Sequence, residues 1–312
     1  MKLGYIGMPD TNRLKGAPFQ HHEHLALAES LAFHSAYFPQ KKPRDILNAD
    51  TAGGDIKIVL DAAGFAGVSP SDIETAVRAA NDQFQGRLHL GVEICGPTDS
   101  AKTKTQSQAY ETLFSYGPQS DQMFAQSRFP MKPPCPEIIG LPRSGVCSET
   151  RLAAARGYSP MTPSWLPEKD VARMWPAIVS GATSALRRAQ PSQWQVNRVV
   201  VVHEDANTVE AYVKGANSPI RRYFENLARR GLMTGDLDRH LSQTVIAGSA
   251  QKVAEDILSL RERVGTFGTL NIIDPRGSDA NMTKTTMVRL AENVMPMVAT
   301  SDVSQFKNLE RT

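Results

Sequence analysis

The sequence predicts an α/β fold in which eight parallel strands close into a (β/α)₈ TIM barrel. Short apolar, β-rich runs alternate with helical patterns along the 312 residues of the chain. Runs such as Val199–Val202 are apolar without alternation, which is typical of strands in a parallel sheet that is covered on both faces. Eight strand–helix units in roughly 300 residues fit a closed barrel better than an open doubly wound sheet.

The elements follow from the period of the apolar residues and from the residues that start helices. Ser69-Pro-Ser-Asp precedes an Ala-rich helical run, and Ser249 precedes a run whose apolar residues share one helical face. The predicted strands are Lys2–Ile6, Ser35–Phe38, Ile56–Ala62, Leu88–Val92, Glu137–Ile139, Ser159–Thr162, Arg198–Val202 and Thr269–Ile273. The predicted helices are His21–Ala32, Ser71–Phe84, Ser148–Arg156, Glu168–Arg188, Thr208–Arg230, Ser249–Arg263 and Asn281–Val294.

Two stretches interrupt the alternation. Residues 97–136, after the fourth strand, are polar and punctuated by Pro and Gly, and residues 214–245, after the seventh strand, form a second irregular segment. In a barrel, such insertions lie at the rim that carries the functional loops. We therefore expect a single domain over residues 1–312, with a rim excursion at 97–136 and a C-terminal tail at 298–312.

Composition excludes several classes of partner. The chain is 41% hydrophobic and 21% charged with a formal net charge of +3, and its basic residues form no stripe, so a nucleic-acid partner is not expected. No apolar run reaches the roughly 18 residues of a membrane span, and the N-terminus lacks a secretory signal, which favours a cytoplasmic protein without a membrane partner. Cys95, Cys135 and Cys147 have no CxxC spacing, so we expect free thiols rather than disulfides or a zinc site.

The segment from Cys147 to Trp165 is the most informative stretch of the chain. Ser148, with Thr150 close behind, is predicted to cap an Ala-rich helix that ends at Gly157 and leads into a short strand. The free N–H groups and the dipole of a helix start attract anions, so this segment is a candidate phosphate cradle. A capped helix that binds nothing has the same pattern and stays an alternative.

Several motifs in the same order resemble one known family. Gln85-Gly-Arg-Leu-His-Leu-Gly-Val92 is similar to that family's fourth-strand motif GR-x-x-LGVG, and Gly248-Ser-Ala-Gln-Lys-Val-Ala-Glu255 is similar to its helix start GSPEEVAE. The segment from Ser148 to Trp165 is similar to a family helix and strand that end in Ser-Trp, and Asn293-Val-Met-Pro296 is similar to a C-terminal motif. On these residues the chain resembles the bacterial-luciferase-like flavin-dependent monooxygenases, which are (β/α)₈ barrels.

The resemblance implies a cofactor site at the carboxyl ends of the strands. It implies that the phosphate of reduced FMN lies against the loop and helix start after the fifth strand, which agrees with the anion cradle described above. It also implies that the flavin ring contacts the end of the sixth strand and lies over small residues after the third strand. The alternative for these small residues is that they only fit a crowded layer of the barrel and contact no ligand. The implied cofactor-binding residues are Gly145, Val146, Cys147, Ser148 and Thr150 for the phosphate, Ser164 and Trp165 at the sixth strand, and Ala62, Ala63 and Gly64 at the third.

The family's chemistry implies a two-component, FMNH₂-dependent monooxygenase that a separate flavin reductase supplies with reduced FMN. Such an enzyme forms a flavin C4a-(hydro)peroxide with O₂ and inserts one oxygen atom into a small organic substrate. The family also implies a homodimer. Two alternatives stay open on the same fold: a deazaflavin-dependent hydride-transfer oxidoreductase and a non-catalytic flavin-binding protein.

The chain departs from the family where many members carry a catalytic histidine after the second strand. Gln40 and Lys41 occupy those positions, so Lys41 is either a cation that stabilises the oxygenated flavin or a solvated charge at the rim. Glu93, after the fourth strand, is a candidate general base or ligand of a cationic group, with an ion pair as the alternative. His203, after the seventh strand, is a second candidate for the missing base.

Two further clusters allow a functional and a structural interpretation. Arg221 and Arg222, with a second pair at Arg229 and Arg230, are candidates for recognising an anionic substrate or the FMN phosphate, unless they lie on an outer helix face. The run from His21 to His24 has the spacing of a helical metal pair, but a polar helix start is the commoner role. No metal site is predicted.

Overall fold

The computed structural model describes residues 1–8, 22–39, 54–61, 79–82, 84–94, 137–142 and 146–300. Within these ranges, nine strands form one sheet in which every pairing is parallel. The strands are β1 (Lys2–Gly7), β2 (Ser35–Tyr37), β3 (Lys57–Asp61), β4 (Leu88–Ile94), β5 (Glu137–Pro142), β6 (Ser159–Thr162), β7 (Gln195–Val202), β8 (Val245–Gly248) and β9 (Thr269–Asp274).

The sheet closes on itself. Strands β1 to β7 pair in sequence order, and β9 pairs with both β7 and β1, so that eight strands complete the ring. The ninth strand, β8, pairs only with the carboxyl half of β7, where Val199–Val202 meets Val245–Gly248. The predicted eight-stranded TIM barrel is therefore confirmed, and each predicted strand overlaps one strand of the ring.

Strand β8 and the first three residues of β7 were not predicted. Strand β8 has four residues and ends in Gly248, which is too short a pattern to separate from the helix that follows. Strand β7 begins at Gln195, three residues before the predicted start. The polar residues Gln195 and Asn197 do not look like part of a buried strand in the sequence, but their side chains face the barrel interior and bind Asn271.

Nine α-helices have both of their ends in the described part of the chain, which also has a 3₁₀-helix at Pro191–Gln193. Five of them carry the side-chain N-cap that their sequence predicts or allows: Asp205, Ser218, Asp236, Ser249 and Asp279 each accept a hydrogen bond from an amide of the first turn. The helices are α1 (His22–Ser30), α2 (Cys147–Ala155), α3 (Glu168–Ala172), α4 (Met174–Ser184), α5 (Ala206–Lys214), α6 (Pro219–Arg229), α7 (Leu237–Thr244), α8 (Ala250–Val264) and α9 (Ala280–Arg289).

Two predicted helices are each divided in two. The helix predicted over Glu168–Arg188 breaks at Arg173, because Pro176 in the first turn of α4 has no N–H to continue the preceding helix. It also ends early, at Ser184, two residues before Leu186 adopts a left-handed φ of 58°. The helix predicted over Thr208–Arg230 breaks before Pro219, where Ser218 caps a new helix, α6.

Residues 214–245 are more regular than predicted. They contain α6 and α7, so the expectation of an irregular segment was wrong there. The last predicted helix continues past its expected end: a π-helical turn at Leu290–Val294 follows α9, and residues 295–300 are helical, with Val298 buried. Residues 79–82 are helical within the predicted Ser71–Phe84, whereas residues 97–136 and 301–312 lie outside the described residues.

The apolar side chains form two layers. One layer lies between the strands and the outer helices and includes Leu60 and Ile257. The other fills the upper interior of the barrel, where Ile6 and Ile273 pack with Ile220 and Phe224 from α6. Helix α6 therefore packs over the carboxyl ends of the strands, and burying each of these side chains contributes about 1.5–3 kcal/mol. The barrel residues of this inner layer are Ile6, Tyr37, Val59, Ile139, Met161, Val199, Val201 and Ile273.

Candidate active site at the carboxyl end of the barrel

The chain topology gathers the described candidate residues at one end of the barrel. Cys147 starts the helix that follows β5, Trp165 follows β6, and His203 follows β7. Glu93 is the second-last residue of β4. The carboxyl ends of parallel strands share one rim, so all four residues belong to the rim at which TIM barrels place their functional groups. We call this rim the barrel mouth.

Helix α2 starts at the barrel mouth without a side-chain cap. The prediction that Ser148 caps this helix was wrong: the helix begins at Cys147, the cap position is Val146, and Ser148 lies exposed in the first turn. The amides of Glu149 and Thr150 bond to the carbonyl of Val146 at 3.1 and 3.4 Å. Among the described residues, no group accepts from the amides of Cys147 and Ser148, so two first-turn donors stay open.

The side chains of Thr150 and Cys147, two predicted cofactor residues of α2, contact α4 and the residue before it. Thr150 is 1% exposed, and its hydroxyl lies 3.0 Å from the sulfur of Met174 on α4. The thiol of Cys147 lies 3.6 Å from the carbonyl of Arg173, and it is a free thiol, as expected. The open groups of α2 are therefore backbone amides and the Ser148 hydroxyl rather than the hydroxyl of Thr150.

The residues after β6 form a donor-rich group. The hydroxyl of Ser164 lies 2.7 Å from that of Tyr223 on α6, and Ser164 is 1% exposed. The ring Nε2 of His240 lies 3.1 Å from the carbonyl of Trp165, which can only accept, so His240 donates this bond. The indole Nε1 of Trp165 is buried and has no hydrogen-bond partner in the part of the chain that the structure describes. A buried N–H without an acceptor costs about 1–3 kcal/mol, so the group suits a ligand that supplies one.

Tyr223 is the residue of this group that the sequence analysis missed. Burial raises the pKa of Tyr223 to about 12, although its hydrogen bond with Ser164 opposes the shift. Its hydroxyl therefore stays protonated at any physiological pH and acts as a neutral donor. The sequence contained a weak signal, because Tyr223 lies between Arg222 and Phe224 in an amphipathic helix, on the side of the buried positions.

Glu93 and His203 lie at the barrel mouth but in different settings. The register of β4 with β3 and β5 places Glu93 on the inner face of the barrel, in line with Gly91, and its side chain is exposed. The Nδ1 of His203 accepts the amide of Asp205 at 3.1 Å, and its own amide bonds to Gly248 at 2.9 Å. One ring nitrogen of His203 is thus used in the local turn.

The arginines of α6 point away from the buried face. Arg221 forms ion pairs with Asp238 at 2.7 Å and with Glu225 at 3.3 Å, and the hydrogen bond to Asp238 raises its pKa. This is the outer-face alternative of the sequence analysis, so Arg221 is engaged elsewhere than in an anion site. Arg222 is exposed and lies on the side of Gly277, in the turn after β9.

A second polar cluster joins β1, α1 and β9. The hydroxyl of Tyr5 donates to Asp274 at 2.8 Å, so the Nδ1 of His24, 3.0 Å from Tyr5, must donate its hydrogen. Burial pushes the pKa of Asp274 up, but hydrogen bonds from His24, Tyr5 and Ser278 outweigh it and hold that pKa below its usual value. Burial and the charge of Asp274 raise the pKa of Tyr5. His24 is 6% exposed and belongs to this buried hydrogen-bond network. Its local sequence had instead indicated a polar residue at a helix start.

Part of the predicted site lies outside the described residues. Gly145 of the phosphate loop, the small residues Ala62, Ala63 and Gly64, and Lys41 are in this part. Within the described ranges, no three His, Cys, Asp or Glu side chains are grouped as metal ligands. In the same ranges, no helix has the length and apolarity that crossing a bilayer requires.

The described residues form a closed parallel barrel with an open helix start after β5 and a Ser-Trp pair after β6. No family model matches the sequence, and a comparison with curated proteins found no match. Solved structures do match over almost the whole chain.

One match is the oxygenating constituent of 3,6-diketocamphane monooxygenase from Pseudomonas putida, a type II Baeyer-Villiger monooxygenase in complex with FMN. It has a TM-score of 0.77 and 18% identity over 95% of this chain and 98% of the other. The monooxygenase RslO1 from Streptomyces bottropensis matches with a TM-score of 0.72 and 19% identity, over 95% and 99% of the two chains. The coenzyme F420-dependent tetrahydromethanopterin reductase from Methanopyrus kandleri matches with a TM-score of 0.61 and 13% identity. The match covers 95% of this chain and 98% of the reductase chain. At these identities the likeness establishes a shared fold: the chain has the (β/α)₈ barrel of these structures.

Proposed function

We propose that this chain is an FMNH₂-dependent monooxygenase of the two-component type, which a separate flavin reductase supplies with reduced FMN. The proposal rests chiefly on one observation: the indole N–H of Trp165, which follows β6, is buried and has no acceptor among the described residues. The likeness to an FMN-containing monooxygenase structure supports it.

Two groups of described residues support the proposal of FMN binding. The open amides of Cys147 and Ser148, together with the exposed Ser148 hydroxyl, suit a phosphate at a helix start. The indole of Trp165 suits an acceptor atom of the flavin ring, because a carbonyl or ring nitrogen would satisfy its buried N–H. Gly145, Val146 and the small residues Ala62, Ala63 and Gly64 complete the proposed binding set.

Reduced FMN, when bound, would supply the electrons with which O₂ is activated. The chain's own residues would hold and shield the reacting groups. Helix α6 places Ile220 and Phe224 over the upper interior of the barrel and excludes water from it. Tyr223 keeps its proton and can donate a hydrogen bond at the end of β6. Glu93 and His203 stay candidates for proton transfer at the rim, as does Lys41 for stabilising negative charge.

The first experiment measures reduced FMN binding. Anaerobic titration should show binding to the wild-type protein, and the bound reduced FMN should reoxidise more slowly than free FMN when mixed with O₂. Trp165→Phe removes the indole N–H but keeps an aromatic ring, so it should weaken binding about five- to tenfold. Trp194→Phe is the matched control, because it removes another buried indole N–H without a partner among the described residues, just before the amino end of β7 and so at the opposite end of the barrel.

The proposal fails if the wild-type protein neither binds reduced FMN nor delays its oxidation. Tight binding of oxidised FMN with no turnover in the presence of a reductase and O₂ would instead favour the non-catalytic flavin-binding protein. Isotopically labelled O₂ separates oxygen insertion from simple oxidation, because only the former places the label in an organic product.

A deazaflavin-dependent hydride-transfer enzyme is the second candidate. The likeness to the F420-dependent reductase supports it, since that protein has the same fold. Side-by-side anaerobic titration with reduced FMN and reduced deazaflavin decides between the two candidates. Preferential binding of the deazaflavin, with substrate reduction that does not depend on O₂, would replace the monooxygenase proposal.

A further inference from the structure

We infer that His240 is a positioning residue: it holds the backbone of Trp165 so that the indole N–H is directed toward the bound flavin ring. The observation that carries this inference is the hydrogen bond from the Nε2 of His240 to the carbonyl of Trp165, 3.1 Å long and formed between residues 75 positions apart. The inference rests on the proposed function, because that proposal assigns Trp165 to the flavin ring. His240 itself is assigned no contact with the flavin.

The backbone of Trp165 depends on this bond for its position. Trp165 lies in a turn between β6 and α3, so no hydrogen bond of a strand or helix fixes its peptide groups. Within the described part of the chain, the bond from His240 is the only hydrogen bond to Trp165. The carbonyl that accepts it is attached to the Cα from which the indole projects. A restraint on this carbonyl therefore also restrains the direction of the indole.

His240 lies on a helix that is itself held in place. Asp236 caps the start of α7 by accepting an amide of the first turn at 2.7 Å. Leu241, the next residue after His240, is 1% exposed and anchors the helix in the inner apolar layer. Asp238 forms an ion pair with Arg221 at 2.7 Å, which joins α7 to α6. The donor nitrogen of His240 therefore projects from a helix with a defined position.

The indole of Trp165 has no directional contact of its own. Its N–H is buried and has no acceptor among the described residues, so no side-chain hydrogen bond sets its direction before a ligand binds. The ring packs against both apolar layers, and apolar packing is non-directional. The bond from His240 supplies the directional restraint. A donor that is already aligned loses less conformational freedom on binding, so the flavin binds more tightly.

His240 can be replaced without opening the core. Its ring is half-buried and lines a polar cleft of about 570 Å³ between α3, α7 and α8, together with Lys169, Arg239 and Gln243. His240→Phe keeps a flat ring but has no N–H, whereas His240→Gln carries a side-chain amide that can donate in place of Nε2. Gln243→Ala is the matched control, because Gln243 is exposed on the same helix and lines the same cleft.

The test is a double-mutant cycle on the affinity of the full chain for reduced FMN, measured by anaerobic titration. His240→Phe should weaken binding about five- to tenfold, as much as Trp165→Phe, because a misdirected indole does not bond to the flavin. His240→Gln and Gln243→Ala should bind reduced FMN about as tightly as the wild type. In a chain that already carries Trp165→Phe, His240→Phe should cause no further loss, because it acts only through the indole N–H.

Heteronuclear NMR of the indole N–H groups gives a second readout. The chain has three tryptophans, so the signal of Trp165 is identified by its absence in Trp165→Phe. Saturating reduced FMN should shift this signal in the wild type and in His240→Gln, and much less in His240→Phe.

The inference is overturned if His240→Phe binds reduced FMN as tightly as Gln243→Ala does, if His240→Gln recovers no affinity, or if the losses from His240→Phe and Trp165→Phe add in the double variant. An equal shift of the Trp165 signal in His240→Phe and the wild type would overturn it as well. Absence of FMN binding in the wild-type protein, or undiminished binding in Trp165→Phe, would instead count against the proposed function.

Discussion

Single residues in this protein often have a role that their local sequence does not show. Ser148 precedes an Ala-rich helix as a cap would, yet the helix starts one residue earlier and leaves the serine exposed. Thr150 has the same side-chain chemistry but is buried against Met174. Residue type was therefore sufficient to predict a polar helix start, whereas the direction of each side chain depended on how α2 packs against α4.

His34, just before β2, offers a prediction at this scale. Burial, with the nearby charge of Lys2, lowers its pKa from 6.5 to about 4, so the folded protein keeps this imidazole neutral. Below pH 6.5 the unfolded chain binds the proton more readily than the folded one. The stability that neutral His34 contributes is therefore fully present above pH 6.5 and is lost as the pH falls through about 4.

The measurement is the free energy of unfolding in urea between pH 7 and pH 4. His34→Gln cannot be protonated, so its stability should fall less steeply over this range than that of the wild-type protein. Asn226→Gln, an exposed substitution on α6, should keep the wild-type slope. Equal slopes for His34→Gln and the wild type would show that His34 contributes nothing to the pH dependence.

At the scale of elements, turn and cap residues explain where most helices begin. Ser218-Pro219 starts α6 inside a run that reads as one long helix, and Asp236 starts α7 inside a segment that reads as irregular. The cap and proline residues are visible in the sequence. The sequence does not show, however, whether they outweigh the helical pattern on either side of them. Strand β8 was missed for a different reason, because four residues acquire strand character only by pairing with β7.

The contact between α2 and α4 supplies a prediction for elements. A Cβ added at Gly181 on α4 would lie 2.1 Å from the backbone carbonyl of Arg151 on α2, and backbone cannot rotate away as a side chain can. Gly181→Ala should therefore push the two helices apart and lower the free energy of unfolding by about 1–3 kcal/mol, despite the better helix propensity of alanine.

Because α2 carries the proposed phosphate site, Gly181→Ala should also weaken reduced FMN binding, measured by anaerobic titration. Ser180→Ala, exposed on the same helix, is the control and should change stability by less than about 0.5 kcal/mol. If Gly181→Ala were as stable as this control, the helices would have room to move and the packing argument would be wrong.

For the whole molecule, the closed sheet depends on a buried polar contact between β7 and β9 as well as on apolar packing. The amide nitrogen of Asn271 donates to Gln195 at 3.0 Å and to Asn197 at 2.9 Å, and Asn271 is 1% exposed. Its side chain also lies where a Cβ on Gly4 of β1 would have to go. Asn271 on β9 therefore contacts both β7 and β1, the two strands between which β9 closes the barrel.

Asn271→Ala should weaken this closure. It leaves the side-chain oxygens of Gln195 and Asn197 buried without their donor, at a cost of about 1–3 kcal/mol for each unsatisfied group. Urea unfolding should show a midpoint well below that of the wild type, whereas Asn281→Ala, at an exposed position on α9, should leave it nearly unchanged. Matching midpoints for the two variants would show that water replaces the lost bonds.

The sequence alone determined the fold class, the eight strands of the ring and the presence of a polar helix start after β5, because these follow from the period of apolar residues and from local helix signals. Only the tertiary structure decided which side chains meet. Ser164 reaches Tyr223 across 59 residues, and Tyr5 reaches Asp274 across 269. Such contacts depend on strand register and on where each helix packs, which are set by interactions between distant parts of the chain rather than by any local pattern.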